Sequence, residues 1–120
     1  MKTGIHLIGD LYGCQFSPSL RDERGVEELK SLISQKIKDV GLKELGNYYH
    51  FFGPDAVTAV ICLSESHISF HSWAKEKYTS LDVFVCNYKS DNTAKAREVF
   101  EYLIAEIFKP KEIKRQEIER

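Results

Sequence analysis

The chain has 120 residues, 42% of them hydrophobic and 12% aromatic, which suits one small globular domain and leaves too little length for two. Lys and Arg number 17 against 18 Asp and Glu, a formal net charge of -1 that gives no reason to expect nucleic acid or an anionic membrane as the main partner. No apolar run is long enough for a membrane span, Met1-Lys2-Thr3-Gly4 leads into a strand-like run without a signal-peptide stretch, and three cysteines lack metal-type spacing, so a soluble cytoplasmic protein without a metal is expected.

Residues 5–11 are predicted as a first strand, closed by the turn-prone run Tyr12-Gly13-Cys14, and residues 15–21 as a loop around Pro18. From Asp22 the period changes. Val26, Leu29, Leu32, Ile33, Ile37 and Val40 recur at three- and four-residue steps, one stripe of a helix that Gly41 stops. Residues 42–52, rich in Tyr and Phe, are a strand candidate followed by the turn Gly53-Pro54-Asp55. Strands over 57–63, 67–73 and 78–86 come next. Ser90-Asp91-Asn92-Thr93 is a cluster of N-cap residues, after which Ala96, Val99, Phe100, Leu103, Ile104, Ile107 and Phe108 trace a second helical stripe as far as Pro110. The tail predicts an edge strand over 112–118.

Adjacent strands joined by short turns predict an α+β fold, an antiparallel sheet with two helices packed on one face, as one domain over 1–120. Val57, Ala59, Ile61 and Leu63 form one apolar face of their strand, while Val60 and Cys62 leave the other face partly apolar too. Two helices cover one side only. A homodimer forming an αββα sandwich is the expected cover for the other.

Reactive residues concentrate in Ser64-Glu65-Ser66-His67-Ile68-Ser69-Phe70-His71-Ser72-Trp73. By pattern alone a solvated strand face explains the alternation of His67, Ser69, His71 and Trp73 as well as catalysis does. A zinc site is disfavoured, because i, i+4 spacing on a strand separates His67 and His71 by about 13 Å.

The stretch from Glu65 to Trp73 nevertheless resembles the self-processing motif of the prokaryotic S-adenosylmethionine decarboxylase family. The run from Ile5 to Cys14 is similar to that family's opening strand and turn. His50-Phe51-Phe52-Gly53-Pro54 with Val57-Thr58 resembles its pre-cleavage hairpin, and Leu81-Asp82-Val83-Phe84-Val85-Cys86 its cysteine-bearing strand. The resemblance implies that Ser66 attacks the carbonyl of Glu65, aided by Thr58 and Cys86, and that His71 removes the Cα proton of residue 66. The chain would part into a β chain, 1–65, and an α chain, 66–120, the latter opening with a covalent pyruvoyl group derived from Ser66. That carbonyl would take up the electrons of a decarboxylation once condensed with the amine of an amino-acid-type substrate, and Cys86 would supply the returning proton. The product would be the aminopropyl donor of polyamine (spermidine) synthesis.

The family's motif continues with proline and a glutamate that grips the substrate's ribose hydroxyls, where this chain has Trp73-Ala74-Lys75-Glu76. An ammonium only donates, so Lys75 cannot accept from those hydroxyls, and Glu76 is the nearest acceptor. The departure keeps open a pyruvoyl-dependent arginine or ornithine decarboxylase, and a non-catalytic regulatory relative. His67 is read either as a substrate-binding residue or as structural, and His6 and His50 as structural or locally hydrogen-bonded. Cys14 and Cys62 are read as small core or turn residues, Tyr48 and Tyr49 as packing.

Overall fold

The computed structural model describes residues 3–120. Along the chain run β1 (Gly4–Tyr12), α1 (Glu23–Asp39), β2 (Glu44–Phe51), β3 (Ala56–Leu63), β4 (Ser66–Trp73), β5 (Tyr78–Cys86), α2 (Thr93–Tyr102) and β6 (Glu112–Glu119). Leu103–Phe108 extends α2 as a π-helical turn. The strands make one six-stranded sheet in the order β2-β3-β4-β5-β1-β6, every pair antiparallel.

Period-two alternation places Val57, Ala59, Ile61 and Leu63 of β3 on the helix-covered face, each 3% exposed or less. Ile68 and Phe70, Leu81, Val83 and Val85, and Ile5, Leu7 and Leu11 continue that buried face across the sheet. α1 meets it with Val26, Leu29, Ile33 and Ile37, α2 and its extension with Val99, Phe100, Leu103 and Phe108. Each of the buried Val, Leu, Ile and Phe side chains stabilises the fold by about 1.5–3 kcal/mol relative to an exposed one.

Local chemistry sets the helix ends. Asp22 Oδ1 accepts from the Gly25 N–H at 3.0 Å. Gly25 has no room for a Cβ, which would stand 1.7 Å from the Ser19 carbonyl oxygen. Gly41, at φ 86°, ends α1 as predicted, and its N–H donates to the Lys38 carbonyl.

Three expectations need correction. Leu32 is 37% exposed because the buried stripe runs 26, 29, 33, 37 and leaves it one step to the side. The strand expected over 42–52 begins only at Glu44, since Leu42 still closes α1 through its N–H to the Ile37 carbonyl. Cys62 is neither core nor turn; it lies exposed on β3, on the face away from the helices.

Among the described residues no helix covers that second face. Tyr48 (68% exposed), Phe52 (61%), Val60 (48%) and Trp73 (40%) stand on it. Charged edge strand β6 is tied to α2 instead, by a two-pronged Arg97–Glu117 pair at 3.0 and 2.7 Å and by Arg115–Glu101. No helix among the described residues is long and apolar enough to cross a membrane.

Candidate active site

The β3–β4 hairpin turns through Ser64 and Glu65 alone, because Leu63 pairs directly with Ser66. Ser66 enters β4 at φ 140°, a region that side chains avoid and that costs about 1–3 kcal/mol. The carbonyl just before it is gripped: Glu65 O accepts from the backbone N–H of Cys86 at 2.7 Å. A hydrogen bond there polarises the carbonyl toward attack and receives the charge that attack would put on its oxygen. Cys86 ends β5, and its neighbour Val85 pairs with Ser66. A cavity of about 380 Å³ opens beside Glu65 and Cys86, flanked by Lys43 and Tyr88.

Thr58 and His71 face each other across β3 and β4, with Thr58 Oγ1 and His71 Nδ1 3.0 Å apart. That contact fixes the ring and leaves Nε2 for a reacting group. The ring also stacks on Trp73, centroids 6.0 Å apart. Ser66 and His71 lie on one strand, five residues apart, hence about 17 Å. So the structure brings Glu65, Ser66 and Cys86 together, and Thr58 with His71. It does not bring the two groups together within one chain.

His67 packs its ring against Phe84 at 5.9 Å and edge-on to His6 at 6.5 Å. His6 is locally hydrogen-bonded, its Nε2 2.8 Å from Asp82 Oδ1. Two acidic residues on the open face, Asp82 and Asp10, were missed; only their place on alternating strands could have marked them. Asp10 accepts from the Tyr78 hydroxyl at 2.7 Å, and this bond pushes the phenol up to about 12. Among the described residues no group of His, Cys, Asp and Glu is gathered as a metal site.

Lys75 and Glu76, neighbours in the β4–β5 turn, part company. Lys75 lines a cavity of about 290 Å³ with Phe16, Leu20, Arg21 and Asp55. Glu76 lies in a recess with Trp73 and Tyr78, whose rings stack at 5.5 Å.

A strained serine, a gripped preceding carbonyl and a neighbouring cysteine are parts that a chain cutting itself at a serine would use; among the described residues no carboxylate is hydrogen-bonded to His71, as a hydrolase triad requires. The profile of the S-adenosylmethionine decarboxylase family matches residues 5–120. An S-adenosylmethionine decarboxylase proenzyme of Persephonella marina is 38% identical over 117 residues, 98% of this chain and 81% of that protein. One of Archaeoglobus fulgidus is 29% identical over 120 residues, covering 100% of this chain and 99% of that protein. The crystal structure of the adenosylmethionine decarboxylase from Aquifex aeolicus superposes with a TM-score of 0.81 at 31% identity, covering 99% of this chain and 91% of that one. The chain belongs to the S-adenosylmethionine decarboxylase family. Its enzymes are pyruvoyl-dependent lyases made as proenzymes, and self-cleavage at a serine leaves the pyruvoyl group bound covalently. This membership supports the decarboxylase of S-adenosylmethionine over an arginine or ornithine enzyme and over a non-catalytic relative.

Proposed function

We propose that this chain cuts itself between Glu65 and Ser66 and then decarboxylates S-adenosylmethionine. The observation that carries the reading is the Cys86 N–H on the Glu65 carbonyl, 2.7 Å away, beside a strained Ser66. Ser66 Oγ bonds to the Glu65 carbonyl carbon, and the displaced electron pair moves onto the oxygen held by that N–H. The C–N bond then breaks, the hydroxyl proton passes to the Ser66 nitrogen, and an ester replaces the amide. The imidazole of a His71 removes the Cα proton of residue 66; the freed pair forms Cα=Cβ as the Cβ–O bond leaves with the Glu65 carboxylate. Water then converts residue 66 to pyruvoyl with loss of ammonia, dividing the chain into 1–65 and 66–120.

The residues at this turn fit such a group: residue 66 sits at a hairpin end beside a cavity of about 380 Å³ that also holds Cys86. The pyruvoyl carbonyl supplies the electron sink for loss of carbon dioxide. Cys86 would give a proton to the substrate carbon from which carbon dioxide has departed. Glu76 accepts from the ribose hydroxyls, and its placement beside Trp73 and Tyr78, away from Lys75, supports that role. His67 borders the site as part of the aromatic cluster with Phe84.

The His71 that serves Ser66 belongs to a second copy, since about 17 Å of strand separates the two within one chain. The exposed apolar face favours that copy as its cover, sheet against sheet. A two-fold axis crossing the strands midway between Ser66 and His71 lays each Thr58–His71 pair against the other chain's Ser66 and Cys86. The same rotation carries Trp73 and Glu76 toward the cavity beside Cys86. The homodimer is thus an αββα sandwich with two shared sites, working in the cytoplasm, where its three free cysteines stay reduced. Its product is the aminopropyl donor for spermidine synthesis.

Purified protein is expected to run as two fragments, the larger-numbered one with a blocked N-terminus by intact mass, and to release carbon dioxide from S-adenosylmethionine. A chain that stays whole on long incubation, or that turns over arginine or ornithine instead, overturns the reading.

A further inference from the structure

Asn92 stands at the N-cap of α2 but makes no side-chain cap bond. Asp91 Oδ1 takes a free N–H at the helix start, accepting from Thr93 N at 3.0 Å. Asn92 is only 5% exposed, and a polar group buried to that degree needs partners. Its amide is spent on the site: Nδ2 donates to the Cys86 carbonyl at 2.9 Å. The Asn92 backbone N–H donates to Asn87 Oδ1 at 2.7 Å, and Ser90 Oγ reaches Asn92 Oδ1 at 3.3 Å, so the donor itself is held in place. Cys86 is therefore gripped at both ends, its N–H by Glu65 O and its C=O by Asn92.

We propose that Asn92 is a positioning residue for self-cleavage, an inference that rests on the processing role proposed for Glu65, Ser66 and Cys86. The helix gives up its asparagine cap, and Asn92 instead fixes the Cys86 backbone. The Cys86 N–H then meets the oxygen of the scissile carbonyl without reorganising as charge develops there. An oxyanion donor is effective only when held in place beforehand, and displacements on the order of 1 Å cost large factors in rate.

Asn92→Asp tests this directly. Aspartate keeps the shape and is as good an N-cap, yet it presents an acceptor to the Cys86 carbonyl and cannot donate. Self-cleavage of freshly made precursor, followed by intact mass, is expected to slow by about tenfold to a hundredfold. Asn92→Ser, which caps but is too short to reach Cys86, is expected to slow it as well, by more than its loss of Tm accounts for. In an uncleavable Ser66→Ala background, Asn92→Asp is expected to hasten hydrogen exchange at the Cys86 amide. Cleavage at the wild-type rate in both variants overturns the proposal. So does slowing that merely follows lost Tm and is matched by Phe100→Leu, which weakens the packing of α2 near Gly9, away from Asn92 and Cys86. If the unsubstituted chain never cuts, the proposed function falls, while Cys86 amide exchange still decides whether Asn92 holds that backbone.

Discussion

Ser66 combines a reactive hydroxyl with a backbone angle that suits glycine, and the two can be separated experimentally. Ser66→Ala and Ser66→Gly both remove the nucleophile, so both are expected to remain single uncut chains. At φ 140° glycine carries no side-chain penalty, so Ser66→Gly is expected to be more stable than Ser66→Ala by about 1 kcal/mol in urea unfolding. Equal stability, or alanine ahead, removes the claim of strain at the cut site. Substrate binding turns on another pair of residues. Glu76→Gln is expected to raise KM for S-adenosylmethionine about tenfold or more by leaving ribose hydroxyls mispaired, with kcat changed little. Lys75→Glu, whose side chain borders the Arg21 and Asp55 cavity, is expected to be tolerated. A sharp KM effect at Lys75 with none at Glu76 reverses the assignment of the ribose acceptor.

Between elements, the open face is held by cross-strand contacts, among them Tyr78 of β5 with Asp10 of β1, which carries a pH signature. The hydrogen bond to Asp10 raises the phenol to about 12 in the folded chain, against an ordinary value near 10. A raised folded-state pKa means that the contribution is fully present below about pH 10 and is lost as pH rises toward 12. Tyr78→Phe is expected to lower stability by an amount constant below about pH 10 that shrinks above it. A pH-independent gap up to pH 12 sinks the linkage. Elements of this kind were legible in the sequence to different degrees. Alternation in 57–63 and 78–86 and the stripe from Val26 to Ile37 mark strands and helix, because burial on one face imposes a period. The π-helical turn at Leu103–Phe108 leaves no such mark, since its apolar residues fit an ordinary helix equally well. Asn92 was hidden for a related reason: a cluster of cap residues predicts a helix start and says nothing of which one turns its amide to Cys86.

For the whole molecule, the sequence names candidate residues for the proposed site but not where they stand relative to one another. Glu65, Ser66 and Cys86 come together because β4 and β5 are neighbours in register. Ser66 and His71, by contrast, are separated by the strand that carries both, and no folding of one chain shortens it. The proposed second copy would bridge the distance, so the catalytic unit is expected to be a dimer by light scattering at micromolar concentration, with Tyr48, Val60 and Trp73 covered. Mixing two dead chains gives the sharper test. Ser66→Ala lacks the nucleophile but keeps His71; His71→Ala lacks the base but keeps Ser66. Each alone is expected to stay whole. Co-expressed in equal amounts and pairing at random, about half of the His71→Ala chains acquire a Ser66→Ala partner, which supplies the missing imidazole across the two-fold axis. Those chains are expected to cut, while every Ser66→Ala chain stays intact, and chain-resolved mass spectrometry distinguishes the two. A His71→Ala chain that cuts at the wild-type rate alone, or that never cuts in the mixture, rules out a site shared between copies.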